Sequence, residues 1–268
     1  MWERAETLQK GREKIMIPSN YHTHTTFCHG ADTPEELVLQ AIAMGCPEIG
    51  FTSHSFTDFD DSYCMTMEGT REYIAQVREL QEKYRDRIKI YLGVEQDFYS
   101  ETPTDEYDYV IGSVHYLKKD GCYLSIDMSR ENQLDFVKKH YGGDFYAFAE
   151  DYFATVAQVY EKTGCDIIAH FDLLTKFNDR GDLFDTNHPR YKAAADKAMD
   201  VLLKTPAALE VNFGAIARGY TTKPYPEKTY LARWLAAGKR VCYSSDCHEK
   251  SHLLDYYEDY KQLRSECR

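Results

Sequence analysis

Seven short runs rich in β-forming residues alternate with helical patterns along this chain of 268 residues. The runs are IPSNYHTH, PEIGFTSH, IKIYLGVEQD, YDYVIGSVHY, CDIIAHFD, AALEVNFGA and RVCYSSDCH. Strands that are separated by helices usually pair in parallel through crossover connections. Seven such units of similar length, in one domain's worth of chain, favour a closed α/β barrel over an open sheet. No GxGxxG or Walker loop opens a helix, which disfavours a nucleotide-binding open sheet.

The chain shows no linker rich in proline, glycine or serine, so we expect a single barrel domain over residues 17–268. Residues 1–16 read as an N-terminal extension, because they are charged throughout and unlike a signal peptide. No apolar run has membrane-spanning length. Eight dispersed cysteines without a CxxC pair indicate reduced thiols, so we expect a cytoplasmic protein.

The charge balance bears on possible partners. The formal net charge is −12, and lysines and arginines are scattered rather than clustered. An acidic surface without a basic patch repels phosphate backbones, which argues against a nucleic-acid partner. The sequence leaves the oligomeric state open.

One connection, Leu117 to Asp144, is longer than an ordinary barrel loop. Long insertions at the carboxyl end of a strand often shape a substrate pocket. A surface excursion without function is the alternative, and the sequence does not decide between the two.

Potential metal ligands recur where the predicted strands end, which is the face that carries the chemistry of α/β barrels. They are His22, His24, His29, His54, Glu95, His115, His170, Asp246 and His248, and they include seven of the ten histidines. Alternation along a strand places His22 and His24 on one face, and the same holds for Asp246 and His248. His140, His188 and His252 lie elsewhere, and we expect them to be structural or solvated.

Nine candidate ligands are too many for one zinc ion, which usually takes four groups. They suit two or three divalent ions that share a carboxylate. Imidazole and carboxylate ligands without thiolate favour Zn, Fe or Mn. Cys247 stands between two candidate ligands, but neighbouring strand residues point to opposite faces, so we expect its thiol outside the barrel lumen.

These motifs together resemble the PHP (polymerase and histidinol phosphatase) family of metal-dependent phosphoesterases. The resemblance covers Pro18 to about Leu254 and rests on HTHT, HG, TSH, GVEQD, GSVH, IIAHFD and SSDCH. Within the family, HTHTTFCHG, GSVHYL, SIDMS and EVNFGAIARG resemble the stand-alone phosphatases that act on histidinol phosphate in histidine biosynthesis. The sequence departs from the family pattern at Asn20, where many relatives carry Asp, and at Ala169, where Gly often precedes the histidine.

The resemblance implies a distorted (β/α)7 barrel with a trinuclear metal centre. One ion would be held by His22, His24, Glu95 and Asp246, a second by Glu95, His115 and His170, and a third by His29, His54 and His248. Glu95 would bridge the first two ions. The reaction expected from the resemblance is hydrolysis of L-histidinol phosphate to L-histidinol and phosphate.

Expected roles in the reaction fall to four residues, two of which are also candidate ligands. Phosphate monoesters hydrolyse very slowly in water, and adjacent metals can supply a hydroxide for in-line attack on phosphorus. Arg218, after the sixth run, is the expected phosphate clamp, since guanidinium matches phosphate bidentately. Asp246 or His248 could pass a proton to the leaving alkoxide. Asp127, in the long connection, is the candidate for holding the cationic part of histidinol.

Two other functions stay open at this point. The chain could be a PHP phosphoesterase with another small phosphorylated substrate, such as a nucleotide or phosphotyrosine. It could also be a metal-binding barrel without activity, although the ligand set shows no missing member.

Overall fold

The computed structural model of the chain describes residues 19–256. The proposed N-terminal extension, residues 1–16, lies outside the described residues, and so do both ends of the proposed barrel domain, 17–18 and 257–268. The domain boundary therefore stays a prediction.

A parallel sheet of six strands forms the centre of the fold, in the order β1-β2-β3-β6-β7-β8. Its strands are β1 (Glu48–Phe51), β2 (Lys89–Asp97), β3 (Tyr109–Ser113), β6 (Ile167–Ile168), β7 (Ala208–Asn212) and β8 (Val241–Ser244). Each neighbouring pair is parallel. The predicted α/β architecture is thus confirmed as a curled half-barrel of six strands.

The first of the seven predicted runs is not a regular strand. It makes isolated parallel bridges from Asn20 to Ile49 on β1 and from Thr23 to Cys247, beyond β8. The amide of His24 donates to the carbonyl of Cys247 at 2.7 Å, so this segment joins the two edges of the sheet. Its pairing stops early because the chain turns back at residues 26–29. Gly30 makes this close return possible, since a Cβ there would lie 2.6 Å from the backbone of His24.

Helices connect the strands and cover the outside of the sheet. Helix α1 begins with a capping box between Thr33 and Glu36, and Gly45 follows its end with φ of +75°. The helices are α1 (Pro34–Ala43), α2 (Met67–Lys83), α3 (Arg130–Tyr141), α4 (Phe145–Val156), α5 (Val159–Thr163), α6 (Pro189–Leu202), α7 (Gly214–Ala217) and α8 (Lys228–Ala236), with 3₁₀ turns at Leu173–Thr175 and Lys250–His252.

The long connection after β3 has its own structure. It forms an antiparallel hairpin of β4 (Tyr116–Lys119) and β5 (Cys122–Ser125), followed by α3. Within residues 19–256, none of the helices combines the length and apolar character that crossing a membrane requires.

The amino-terminal half of the sheet interior is filled by aromatic side chains. Tyr91 and Tyr109 are buried there with Ile111 and Ile167. Gly50 leaves room for Tyr109, because a Cβ at Gly50 would lie 2.2 Å from the tyrosine oxygen. With this end filled, the site side chains lie further along the same strands, at the opposite end of the interior, as Glu95 does four positions after Tyr91 on β2.

Candidate active site

All nine candidate ligands converge at the carboxyl edge of the sheet. His22, His24 and His29 come from the N-terminal segment that bridges the sheet edges and from the turn after it, His54 follows β1, and Glu95 lies on β2. The others follow β3, β6 and β8. All except His29 and His248 are nearly or fully buried. Folding therefore gathers into one place residues that lie more than 200 positions apart in the sequence.

Glu95 lies at the centre of this cluster, and its two oxygens face different imidazoles. Oε2 is 3.1 Å from Nε2 of His22 and 2.9 Å from Nδ1 of His54. Oε1 is 3.3 Å from Nε2 of His115 and 3.1 Å from Nε2 of His170. A carboxylate that faces two groups of imidazoles can serve two cations at once, which suits the bridging role expected of Glu95.

Asp246 approaches the same cluster from the other side. Its Oδ1 lies 3.0 Å from Nε2 of His24 and 3.7 Å from Nε2 of His22. The residue has φ of +47°, an unusual conformation for a side chain other than glycine, and such strain is common at functional sites. Gly214 permits the approach, since a Cβ there would lie 2.6 Å from the Cβ of Asp246.

Three imidazoles form the outer part of the cluster. The ring of His29 lies 5.0 Å from that of His54 and 4.4 Å from that of His248, between centroids. His29 is exposed, and its Nδ1 is 3.2 Å from the carbonyl oxygen of Tyr63. In three groups of residues, the potential ligand atoms all lie within 4.8 Å of one another. The groups are His24 with His54 and His248; His22 with His24 and Asp246; and His54 with Glu95 and His115. The division of ligands among individual ions therefore stays a prediction.

The donor atoms of the cluster fit bound metal ions. Among the described residues, five of these buried atoms form no hydrogen bond of acceptable geometry, although potential partners lie as close as 2.9 Å. They are Nε2 of His22, His24 and His248, Nδ1 of His54, and Oε2 of Glu95. A buried polar atom without a partner is costly, so native structures rarely keep several together unless something else satisfies them. Divalent cations coordinated by these lone pairs would satisfy them.

The pKa shifts in the cluster favour an ionised Glu95 and neutral His24 and His54 rings. Burial raises the pKa of Glu95, but His22, His54 and His115 outweigh this effect and hold it well below its usual range. Burial and neighbouring imidazoles lower the pKa of His24. Burial also lowers the pKa of His54 to about 4, although Glu95 acts in the opposite direction. These two rings are therefore neutral at pH 7, the form in which histidine binds metals.

Arg218, just after α7, borders the cluster. Its Nη2 lies 3.2 Å from Oδ2 of Asp246, and its Nη1 lies 3.1 Å from Nδ1 of His248. The same guanidinium lines the cavity above the cluster. Arg218 thus lies where a phosphate clamp is expected, and the role itself stays a prediction.

Asp127 lines the same cavity but is already paired. Its Oδ2 and its carbonyl oxygen each lie 3.0 Å from Nζ of Lys176. The ammonium therefore compensates the charge that was expected to attract a cationic substrate. Ser125 and Met128 also line the cavity, so the long connection contributes to a pocket wall and is not a mere surface excursion.

The cavity over the cluster has a volume of about 390 Å³, within the range of small-molecule sites. Tyr63 and Tyr116 form part of its wall on the side of the loop after β1. The site is thus large enough for a small organic phosphate, with the metal-binding cluster at its base.

The sequence reasoning missed three residues around the cluster. Glu210 on β7 is fully buried, and its Oε1 lies 2.6 Å from Nδ1 of His22. Asp97 on β2 accepts from the amide of His115 at 3.0 Å, and Lys176 pairs with Asp127. A signal existed for the two acids, because each stands two positions from another polar residue inside an apolar run and so shares its face.

The residues expected to lie outside the cluster do so. His140 contacts Asp120, His188 caps the start of α6, and His252 contacts Asp255. The thiol of Cys247 packs in the main core and donates to the carbonyl of Glu249 at 2.9 Å.

Comparison with known proteins adds a family and a fold. The sequence model of the PHP domain family matches residues 20–213 of this chain. A probable histidinol-phosphatase from Deinococcus radiodurans is 29% identical over 255 residues, which cover 91% of each chain.

Two solved structures are similar in fold. A Listeria monocytogenes protein has a TM-score of 0.78 and 24% identity over 91% of this chain and 100% of that one. A histidinol phosphate phosphatase from Lactococcus lactis, in complex with Zn, L-histidinol and phosphate, has a TM-score of 0.65 and 20% identity over 94% of both chains.

Proposed function

The chain belongs to the PHP domain family, and from this premise we propose that it is a metal-dependent phosphomonoesterase that hydrolyses L-histidinol phosphate to L-histidinol and phosphate. Its relatives carry the same activity in their names, and the Lactococcus lactis structure holds both products and zinc. A role in histidine biosynthesis agrees with the cytoplasmic protein expected from the sequence. The proposed partner is a small phosphate ester.

One observation carries this proposal. Nine imidazole and carboxylate side chains meet at the base of one cavity, and five of their buried donor atoms form no hydrogen bond of acceptable geometry among the described residues. Such a donor set suits two or three ions of Zn, Fe or Mn. When bound, these ions supply charge neutralisation for phosphoryl oxygens and lower the pKa of an attacking water.

The chain's own groups would then position the substrate. As the family resemblance implies, His22, His24, Glu95 and Asp246 would hold one ion, Glu95, His115 and His170 would hold a second, and His29, His54 and His248 would hold a third. Arg218 lies beside Asp246, so its guanidinium can bind phosphate oxygens at the edge of the cluster. The attacking water must lose a proton and the leaving alkoxide must gain one, and we assign the relay between them to Asp246 or His248, which border that guanidinium.

The test is a panel of phosphate monoesters with the metal-loaded protein: L-histidinol phosphate, phosphotyrosine, a nucleoside monophosphate and p-nitrophenyl phosphate. We expect kcat/KM for L-histidinol phosphate to exceed the others by at least about a hundredfold, because specific contacts to the organic group act in the transition state. Protein stripped of metal by a chelator should release no phosphate.

Other outcomes have clear meanings. Equal kcat/KM across the panel would reduce the assignment to a general PHP phosphatase. A preference for phosphotyrosine or the nucleotide would replace the substrate, and no phosphate release at any metal load would favour a binding protein.

A further inference from the structure

The loop between β1 and α2 carries a further carboxylate, Asp60, into the active-site cavity. Asp60 lines the cavity together with Ser62, Tyr63 and Tyr116. The loop is fixed, because the carbonyl of Asp60 accepts from Oγ1 of Thr57 at 2.8 Å. Phe59 stacks on Tyr123 of the β4–β5 hairpin at 3.7 Å between ring centroids.

Only neutral groups donate to the Asp60 carboxylate. Oδ1 accepts from the amide and the hydroxyl of Ser62 at 2.9 and 2.6 Å, and Oδ2 accepts from Tyr116 at 2.5 Å. In the described part of the chain, no lysine, arginine or histidine forms an ion pair with it. Burial raises the pKa of Asp60, but these donors lower it more, so the carboxylate is charged at neutral pH.

This arrangement differs from that of Asp127, the other cavity acid that is not a candidate metal ligand. Lys176 lies 3.0 Å from the Asp127 carboxylate, so that pair presents little net charge. Of these two acids outside the metal-binding cluster, Asp60 is therefore the one whose negative charge is available to a ligand.

Aromatic rings lie between Asp60 and the metal-binding cluster. The ring of Tyr63 is 4.8 Å from that of His54 and 5.7 Å from that of Tyr116, between centroids. Tyr116 in turn donates to Asp60. A ligand with its phosphate on the cluster can thus extend along two tyrosines toward a carboxylate, and aromatic faces beside an acid attract cations.

We propose that Asp60, with Tyr63 and Tyr116, forms the subsite for the cationic end of the substrate and determines specificity for a positively charged organic group. The inference rests on the proposed function and deepens it. It places the cationic end at Asp60 instead of Asp127.

The test compares Asp60→Asn with Asp61→Asn. Asp61 is the next residue on the same loop, but it is exposed and does not line the cavity, which makes it a matched control. We expect Asp60→Asn to lower kcat/KM for L-histidinol phosphate by about 10- to 100-fold, mainly through KM, because a charge-assisted contact to the ground state and transition state is lost. With p-nitrophenyl phosphate, kcat/KM should change less than about twofold. Metal content should match the wild type.

A second readout does not depend on turnover. Calorimetry with the metal-loaded protein should show weaker L-histidinol binding in Asp60→Asn and unchanged binding of inorganic phosphate. Asp61→Asn should behave as wild type in every assay.

The proposal would be overturned by an equal loss for both substrates, by no loss for either, or by a selective loss in Asp127→Asn and not in Asp60→Asn. Failure of the proposed function is distinguishable, since it appears in the wild type as absent preference for L-histidinol phosphate. That result would remove the cationic occupant as well.

Discussion

Oε1 of Glu210 lies 2.6 Å from Nδ1 of His22, on the side of the ring away from Glu95. The same carboxylate accepts from the amide of His170 at 2.9 Å and from the hydroxyl of Ser244 at 2.6 Å. A metal ligand whose second nitrogen bonds a carboxylate is fixed in tautomer and orientation and becomes more basic. Glu210 therefore positions two ligands from distant segments of the chain and does not itself line the cavity.

Glu210→Gln should weaken metal binding by about 10- to 100-fold, since the amide keeps the shape but loses the charge. Zinc affinity measured by competition with a chromophoric chelator tests this directly. Ser244→Ala is the control, because it removes a bond to the same oxygen and leaves His22 paired. Equal zinc affinity in Glu210→Gln and wild type would show that the contact is only structural.

A second prediction compares a central ligand with a peripheral one. Glu95→Ala should reduce bound metal and turnover more than His29→Ala, because Glu95 faces imidazoles on both of its oxygens, whereas His29 is exposed at the edge. Elemental analysis and phosphate release on the same preparations measure both effects. If the two variants retain similar metal and activity, Glu95 does not bridge.

The third prediction concerns Arg218. Arg218→Ala should lower kcat/KM for L-histidinol phosphate by roughly a hundredfold, because a bidentate charge-assisted contact to phosphate is lost. Bound metal should stay at the wild-type level, since the guanidinium is not a ligand. Arg218→Lys keeps the charge but not the forked geometry, and it should recover only part of the loss.

Unchanged kinetics in Arg218→Ala would move the phosphate clamp to another residue. Loss of metal in this variant would show instead that Arg218 mainly holds Asp246 in place, through its 3.2 Å contact.

The sequence predicted the α/β class and the gathering of nine potential ligands, because both follow from local patterns. Period-two alternation and strand ends fix which side chains reach the carboxyl edge. The sequence did not predict the contacts between distant parts of the chain. Lys176 neutralises Asp127 from a different loop. The first predicted run joins the six-stranded sheet only through isolated bridges at Asn20 and Thr23.

The role of Glu210 illustrates the same limit. Its place inside the strand ALEVN could be read from the sequence, but its partner His22 lies 188 positions away. Alternation shows that such an acid faces inward; only the curvature of the sheet shows which imidazole it meets.

The central claim is that the cluster around Glu95 binds two or three metal ions and that hydrolysis of L-histidinol phosphate depends on them. The most direct measurement is a titration of metal-free protein with Zn²⁺, in which bound metal and phosphate release are followed on the same samples. We predict no activity without metal and full activity only when two or three ions are bound per chain. Full activity with one ion or none would contradict this account.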